Sequence, residues 1–267
     1  MQTLRKYGAT YALLFRNSIV REMAFKANFL LWIVTELLWF FGQIVFVEVM
    51  FSQTDRILDW TKWEVVLLIG THQVISQMFQ ALFYVNLSNL PELVRTGKLD
   101  LMLLLPVDAQ FNVSVRQFSL DCVVTGLVGM TIVGFSLHKL SLVPSVAQWL
   151  LYGGAALLGV AVHYAVMFLL ATASFWIVRA QGLIYGYFNV VSLARYPEGI
   201  YRGAFRFVFL WLLPVILVAN VPARVLIRPQ EPPWTGLAEL AAAAILAIVA
   251  SRWVWKMALR RYSSASS

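Results

Sequence analysis

The residues of this chain that could do chemistry are few, and most stand inside apolar runs. In EVVLLIGTHQVISQMFQ, residues 64–80, His72, Gln73, Ser76, Gln77 and Gln80 are spaced to share one side of a helix. At about 100° per residue they fall within an arc of about 140°, a continuous polar stripe. Upstream, Glu36 sits in VTELLW, with Gln43 two turns on and nearly on the same side. A carboxylate placed in hydrocarbon costs several kcal/mol on insertion scales, so such groups face a bundle interior or a cavity. Two readings stay open. One is a substrate path or polar seam lined by Glu36, Gln43, His72, Ser76, Gln77 and Gln80, with Glu36 in a specific role such as pairing across a subunit interface. The other is a set of hydrogen bonds between helices, worth about 0.6 kcal/mol each. Asp121 can reach headgroup level or pair with Arg116. His163, alone in its run, reads as a packing residue.

Catalytic and metal chemistry are not supported. His72, His138 and His163 are the three histidines, far apart and without a carboxylate or cysteine at ligand spacing, so no metal site is expected. Neither GxSxG nor HExxH occurs. Gly97-Lys98 lacks the earlier glycine and the following Ser or Thr of a phosphate loop; those positions hold Glu92 and Leu99. The single cysteine, Cys122, allows no disulfide within the chain and no CxxC pair. The chain reads as a non-enzyme that holds no cofactor of its own.

The elements that must position these groups follow from composition. Of 267 residues, 60% are hydrophobic and only 13% charged, against about 25% charged in an ordinary globular domain. That defines an all-α integral membrane protein and one domain, 1–267. Residues 28–50, 63–85, 113–136, 147–177 and 234–255 each meet the roughly 20-residue requirement of a membrane span. Residues 1–26 form an amphipathic pattern, with Leu4, Tyr7, Tyr11, Leu14, Phe15 and Ile19 on one side and Arg5, Lys6, Arg16 and Asn17 opposite. An in-plane helix at the headgroups fits it. Between 180 and 230 hydropathy leaves two options: a span at 205–226, or a short span at 181–196 followed by a re-entrant segment over 198–226. The positive-inside rule prefers the first, while Pro197, Pro214 and Pro222 suit the second. Either way six crossings put both termini on the cytoplasmic side. The net charge of +8 comes from basic clusters flanking apolar runs. It reads as a match to anionic lipid, not to nucleic acid.

The order of these parts resembles the ABC-2-type export permeases, and most the short six-span bacterial permeases, over essentially the whole chain. The likeness is carried by ANFLLWIVTELLW at 27–39, ELVRTGKLDLMLLLPVDAQF at 92–111, and ARYPEGIYRGAF…LPVILVANVPARVL at 194–226. The resemblance implies a dimer, with an identical or a sister permease half, bound to two copies of a separate ATP-binding subunit that holds ATP and Mg. It implies a coupling helix over 91–100 that docks on that ATPase through Glu92, Leu93, Val94, Arg95, Thr96, Gly97 and Lys98. Gly97 would close that helix, with Leu93 and Val94 as its apolar anchor. It also implies an outer re-entrant hairpin, which favours a fifth span at 181–196. The expected setting is the bacterial inner membrane, and the expected activity is export driven by ATP. Drug, peptide, lipid and glycoconjugate exporters share this architecture, so no substrate is named. The competing readings are a secondary transporter or channel, which calls for paired midplane charges and inverted repeats, and an intramembrane enzyme, which calls for clustered His, Asp or Glu.

Overall fold

Long apolar runs without period-2 alternation satisfy their backbone groups internally only as helices when no water is at hand. The computed structural model describes residue 20, residues 26–177 and residues 180–262, and over these it is a helical bundle with a single small hairpin. The expected in-plane helix at 1–26 lies outside the described residues but for Val20 and Lys26. Helix α1 is Lys26–Phe51; strands β1 (Arg56–Ile57) and β2 (Trp60–Thr61) form the hairpin. Helix α2 is Lys62–Phe79, widened by a π turn at Gln80–Tyr84 and resumed at Val85–Ser88. Three short helices follow, α3 (Leu90–Arg95), α4 (Leu99–Leu103) and α5 (Ala109–Ser114). The remaining long elements are α6 (Leu120–Lys139), α7 (Val146–Thr172), α8 (Gln181–Val191), α9 (Val215–Ile227) and α10 (Trp234–Arg261).

Five helical runs among the described residues are long and apolar enough to cross a membrane: Phe29–Phe51, Lys62–Arg95, Leu120–Lys139, Val146–Phe175 and Trp234–Arg261. The bent pair Gly203–Leu210 and Val215–Ile227 would make a sixth if taken as one span. The runs divide by burial. The apolar window of the α2 run is 83% buried, that of α1 11% and that of α10 17%, so α2 lies at the centre and α1 and α10 at the periphery. α2 packs chiefly on α6, and α7 on α9 and α10. The α2–α6 contact depends on small residues: a Cβ at Gly70 would stand 3.1 Å from the Gly129 carbonyl oxygen, and one at Gly129 the same distance from the Gln73 Cβ. Small residues allow such close backbone approach in membrane bundles.

Several boundaries differ from the expected ones. The third span begins at Leu120, not 113. Residues 115–119 leave the helix because other partners take their backbone groups. Gln117 exchanges two 2.8 Å hydrogen bonds with the Asn86 side chain, and the Ser119 N–H donates to the Ala81 carbonyl in the π turn at 3.0 Å. In place of a span over 181–196 there is the eleven-residue α8 and a 3-10 turn, Ser192–Arg195. That is shorter than a crossing requires. Pro197 ends it by forcing Tyr196 into an extended backbone, φ −109° and ψ 150°. Nor is 205–226 one straight helix, since its two arms meet at 80° beside Pro214. The expected coupling helix over 91–100 is two helices, α3 and α4, separated at Gly97.

Candidate functional site

Two regions gather the sequence-predicted residues, one inside the bundle and one at its loop end. Inside, the Glu36 carboxylate on α1 accepts a hydrogen bond from Gln77 Nε2 on α2 at 3.1 Å. The seam thus brings α1 and α2 together at these two residues. Gln77 is 2% exposed, and its Oε1 finds no donor among the described residues. One turn and a half away, His72 Nε2 lies 3.2 Å from the Val191 carbonyl and 3.3 Å from Ser76 Oγ. A carbonyl only accepts, so the proton sits on Nε2 and Nδ1 is left as a buried acceptor without a donor. His72 therefore fastens the end of α8 to α2. Gln80 opens the π turn and is not bonded to the others among the described residues. Asp121 and Arg116 form no ion pair with each other among the described residues.

Asn220 on α9 completes the frame. It is fully buried; its Oδ1 accepts the Glu198 N–H at 3.0 Å, and its Nδ2 reaches the Tyr196 and Ile216 carbonyls at 3.2 and 3.1 Å. Held between His72 and Asn220, the turn carries Arg195, a half-buried guanidinium with no hydrogen bond or ion pair to any described residue. Gln43 is in the same position: both atoms of its amide are buried without a partner. Arg195 and Gln43 line one cleft of about 370 Å³ with Leu38, Trp39, Phe46 and Ile69. A second cleft of about 510 Å³ is lined by Thr35, Glu36, Leu38 and Trp39. Leu38 and Trp39 belong to both, so Glu36, Gln43 and Arg195 stand along one side of α1. At 66% and 68% exposure, Leu38 and Trp39 open the clefts to the flank of the bundle. The region offers hydrogen bonds and charge to a bound group. Among the described residues it holds no set of ligands for a metal, and the nitrogen that His72 turns to the Ser76 hydroxyl is the one that donates to the Val191 carbonyl, so it is not placed to take the serine's proton.

At the loop end, Glu92, Arg95, Thr96 and Lys98 are exposed. Arg95 clasps Glu92 through two hydrogen bonds of 2.9 and 2.7 Å, and the Thr96 hydroxyl donates to the Glu92 carbonyl at 2.7 Å. Gly97 takes φ 70°, the left-handed conformation that ends α3. Leu93 and Val94 do not fit the role of outward anchor, because both are half-buried against the chain's own core. The exposed apolar side chains beside the charged turn are Leu101 and Leu104, at 69% and 80%. Behind them, Asp108 caps α5 by accepting the Phe111 N–H and is clasped by Arg252 of α10 through both carboxylate oxygens. Arg252 also donates to Gln110 Oε1 at 3.0 Å, and Gln110 Nε2 donates to the Tyr164 hydroxyl of α7 at 3.1 Å. This network joins the loop end to two long helices.

A helical bundle with five runs long and apolar enough to cross a membrane, carrying a polar cleft and a charged terminal turn, is a multi-pass membrane protein. A family model described as "ABC-2 family transporter protein" matches residues 37–266. The chain belongs to that family and is a permease of an ABC transporter, a class of membrane subunit that associates with an ATP-binding subunit. No match was found among the curated proteins compared with it.

Arg195, Asn220, Leu101, Leu104 and the Asp108–Arg252 pair escaped the sequence reading as site residues. For Arg195 a signal existed, a charged side chain at the end of an expected span. For Asn220 and Arg252 there was none, since their partners lie 22 or more residues away.

Proposed function

We propose that this chain is the transmembrane half of an ATP-driven exporter, with the α3–α4 turn as the contact for its ATPase. The observation that carries this reading is the turn itself: exposed charge at 92–98 and exposed Leu101 and Leu104 stand on a loop bonded to α7 and α10 through Gln110, Tyr164, Asp108 and Arg252. A push on that turn acts directly on two long helices. In this reading the turn faces the cytoplasm, both termini are cytoplasmic, the β1–β2 hairpin faces outward at the bacterial inner membrane, and the segment around the Pro214 bend dips in from that outer side and returns to it, where Arg228 pairs with Asp59 and Glu64. Two ATPase copies bind ATP and Mg and serve two permease halves, identical or sister chains. ATP binding closes the ATPases, the turns move, and the halves shift between inward and outward access. A substrate biases that equilibrium only through its different affinity for the two states. The cleft along α1, from Glu36 to Gln43 and Arg195, is the path it follows.

Purification in mild detergent tests the coupling. The chain should bring an ATP-binding subunit with it, and Arg95→Ala combined with Leu101→Ala should release that subunit while the permease still inserts. Full retention of the ATPase by the double variant would show that docking occurs elsewhere.

A further inference from the structure

The cleft at Arg195 has the chemistry of a headgroup site, and we infer that it receives the acidic headgroup of a membrane-resident amphiphile. The inference rests on the proposed export path and names the class of its substrate. A guanidinium presents five donors, yet Arg195 has no hydrogen-bond or ionic partner among the described residues, and its Nε is buried. The Gln43 amide is likewise without partners and lines the same cleft. A half-buried guanidinium whose Nε is buried without a hydrogen-bond partner is costly, and a planar donor fork of this kind is matched by a phosphate or carboxylate. Among the described residues lining that cleft Arg195 is the one charged side chain, and its free donors call for an anion. Glu36 acts on Arg195 electrostatically from the neighbouring cleft but makes no hydrogen bond or ion pair with it; its hydrogen-bond partner is Gln77.

The walls and depth identify the rest of the ligand. Leu38, Trp39, Phe46 and Ile69 are apolar, and the cleft opens on the flank of α1, where Leu31, Phe41 and Val45 are exposed too. Ile69 lies seven residues into α2 and Gln43 eight before the end of α1. Both are therefore about 10–12 Å from the hairpin end at 1.5 Å per residue. A free anion would have to shed its water to reach that depth. An anion carried on hydrocarbon chains arrives laterally, with its chains along α1. The cleft volume suits a headgroup and its first methylenes, not a whole lipid.

The test uses the full chain with its copurified ATPase subunit, reconstituted in phosphatidylcholine vesicles. Three diazirine-bearing probes are compared: hexadecyl phosphate, hexadecanol and hexadecyltrimethylammonium. The phosphate should label residues 38–46 in preference to the other two. Arg195→Gln should raise its half-saturating concentration by about tenfold, the loss of one charge-assisted contact, and Arg195→Lys should restore part of it. Gln43→Leu should weaken the phosphate without affecting the alcohol. Equal labelling by all three probes would overturn the inference, as would an unchanged Arg195→Gln. Preference for the cation, lost in Glu36→Gln, would overturn it in favour of a cationic substrate. If a second copy covers the cleft, no probe reaches 38–46 and the inference also falls. ATPase association is scored in the same samples. Association with no phosphate preference rejects only the ligand class, and phosphate preference without an ATPase rejects only the coupling reading.

Discussion

Glu36 and Asn220 are both polar residues inside an apolar bundle, and their partners separate their roles. Asn220 is fully buried and bonds backbone groups of the turn around Arg195 and of its own helix, at Ala194, Tyr196, Glu198 and Ile216. Replacing it with leucine strands those groups at roughly 1–3 kcal/mol for each one left unsatisfied. Asn220→Leu should therefore lower the thermal unfolding midpoint in detergent; an unchanged midpoint would mean that the turn is held by other contacts. Glu36 has one neutral donor, Gln77, and an open cleft beside it. Glu36→Gln retains the shape and removes the charge. Transport should fall about tenfold if the carboxylate adds ~1.4 kcal/mol to the conducting state, with ATPase association intact. Unchanged transport would leave Glu36 a helix–helix contact. The sequence made Glu36 and Gln77 legible because polar groups in hydrocarbon stand out against their neighbours. It could not reveal Arg195 as unpaired, because that depends on where the α8 turn meets α1.

The α2–α6 pair is a close helix contact, and its closeness is set by the absence of side chains at Gly70 and Gly129. Gly129→Leu would drive a side chain into Gln73 and the Gly70 carbonyl, and overpacking of this kind costs about 1–3 kcal/mol. The variant should unfold at lower temperature. Because Gln77 is on the same helix, its contact with Glu36 should loosen too, read as faster labelling of a cysteine placed at 40, a buried position one turn from Glu36. Labelling at 40 no faster than without the glycine substitution would show that α2 absorbs the clash locally. The long spans were legible as elements since twenty apolar residues have few alternatives in a membrane. Their ends were not. The start of α6 depends on Asn86 and Ala81, which lie 31 and 38 residues upstream of their partners. The division of the 91–100 stretch turns on the single left-handed residue Gly97. Hydropathy carries no information about either, and proline content alone left the 180–230 region undecided until the 80° bend separated its arms.

Across the whole molecule, the Asp108–Arg252 pair is where the loop end is fastened to the last span, so its charge state should tune both stability and coupling. The hydrogen bonds from Arg252, with the Phe111 N–H adding to them, hold the Asp108 carboxyl below its usual range. A depressed carboxylate contributes stability that is fully present above its unfolded value of about 4. That contribution is lost as the pH falls through the lower folded value. Asp108→Asn isolates the effect, because asparagine still caps α5 while removing only the charge. The wild type should therefore unfold at a higher temperature than Asp108→Asn at pH 7, and the gap should close as the pH is lowered from 4 to 2. Other carboxylates titrate in both proteins and cancel in the difference. A gap of constant size across that range would show that the pair adds no charge-dependent stability. If the pair also transmits movement from the α3–α4 turn, Asp108→Asn should bind the ATPase normally at pH 7 yet transport less per ATP hydrolysed. Normal transport per ATP would place transmission on the Gln110–Tyr164 branch instead, which reaches α7 without passing through a charge.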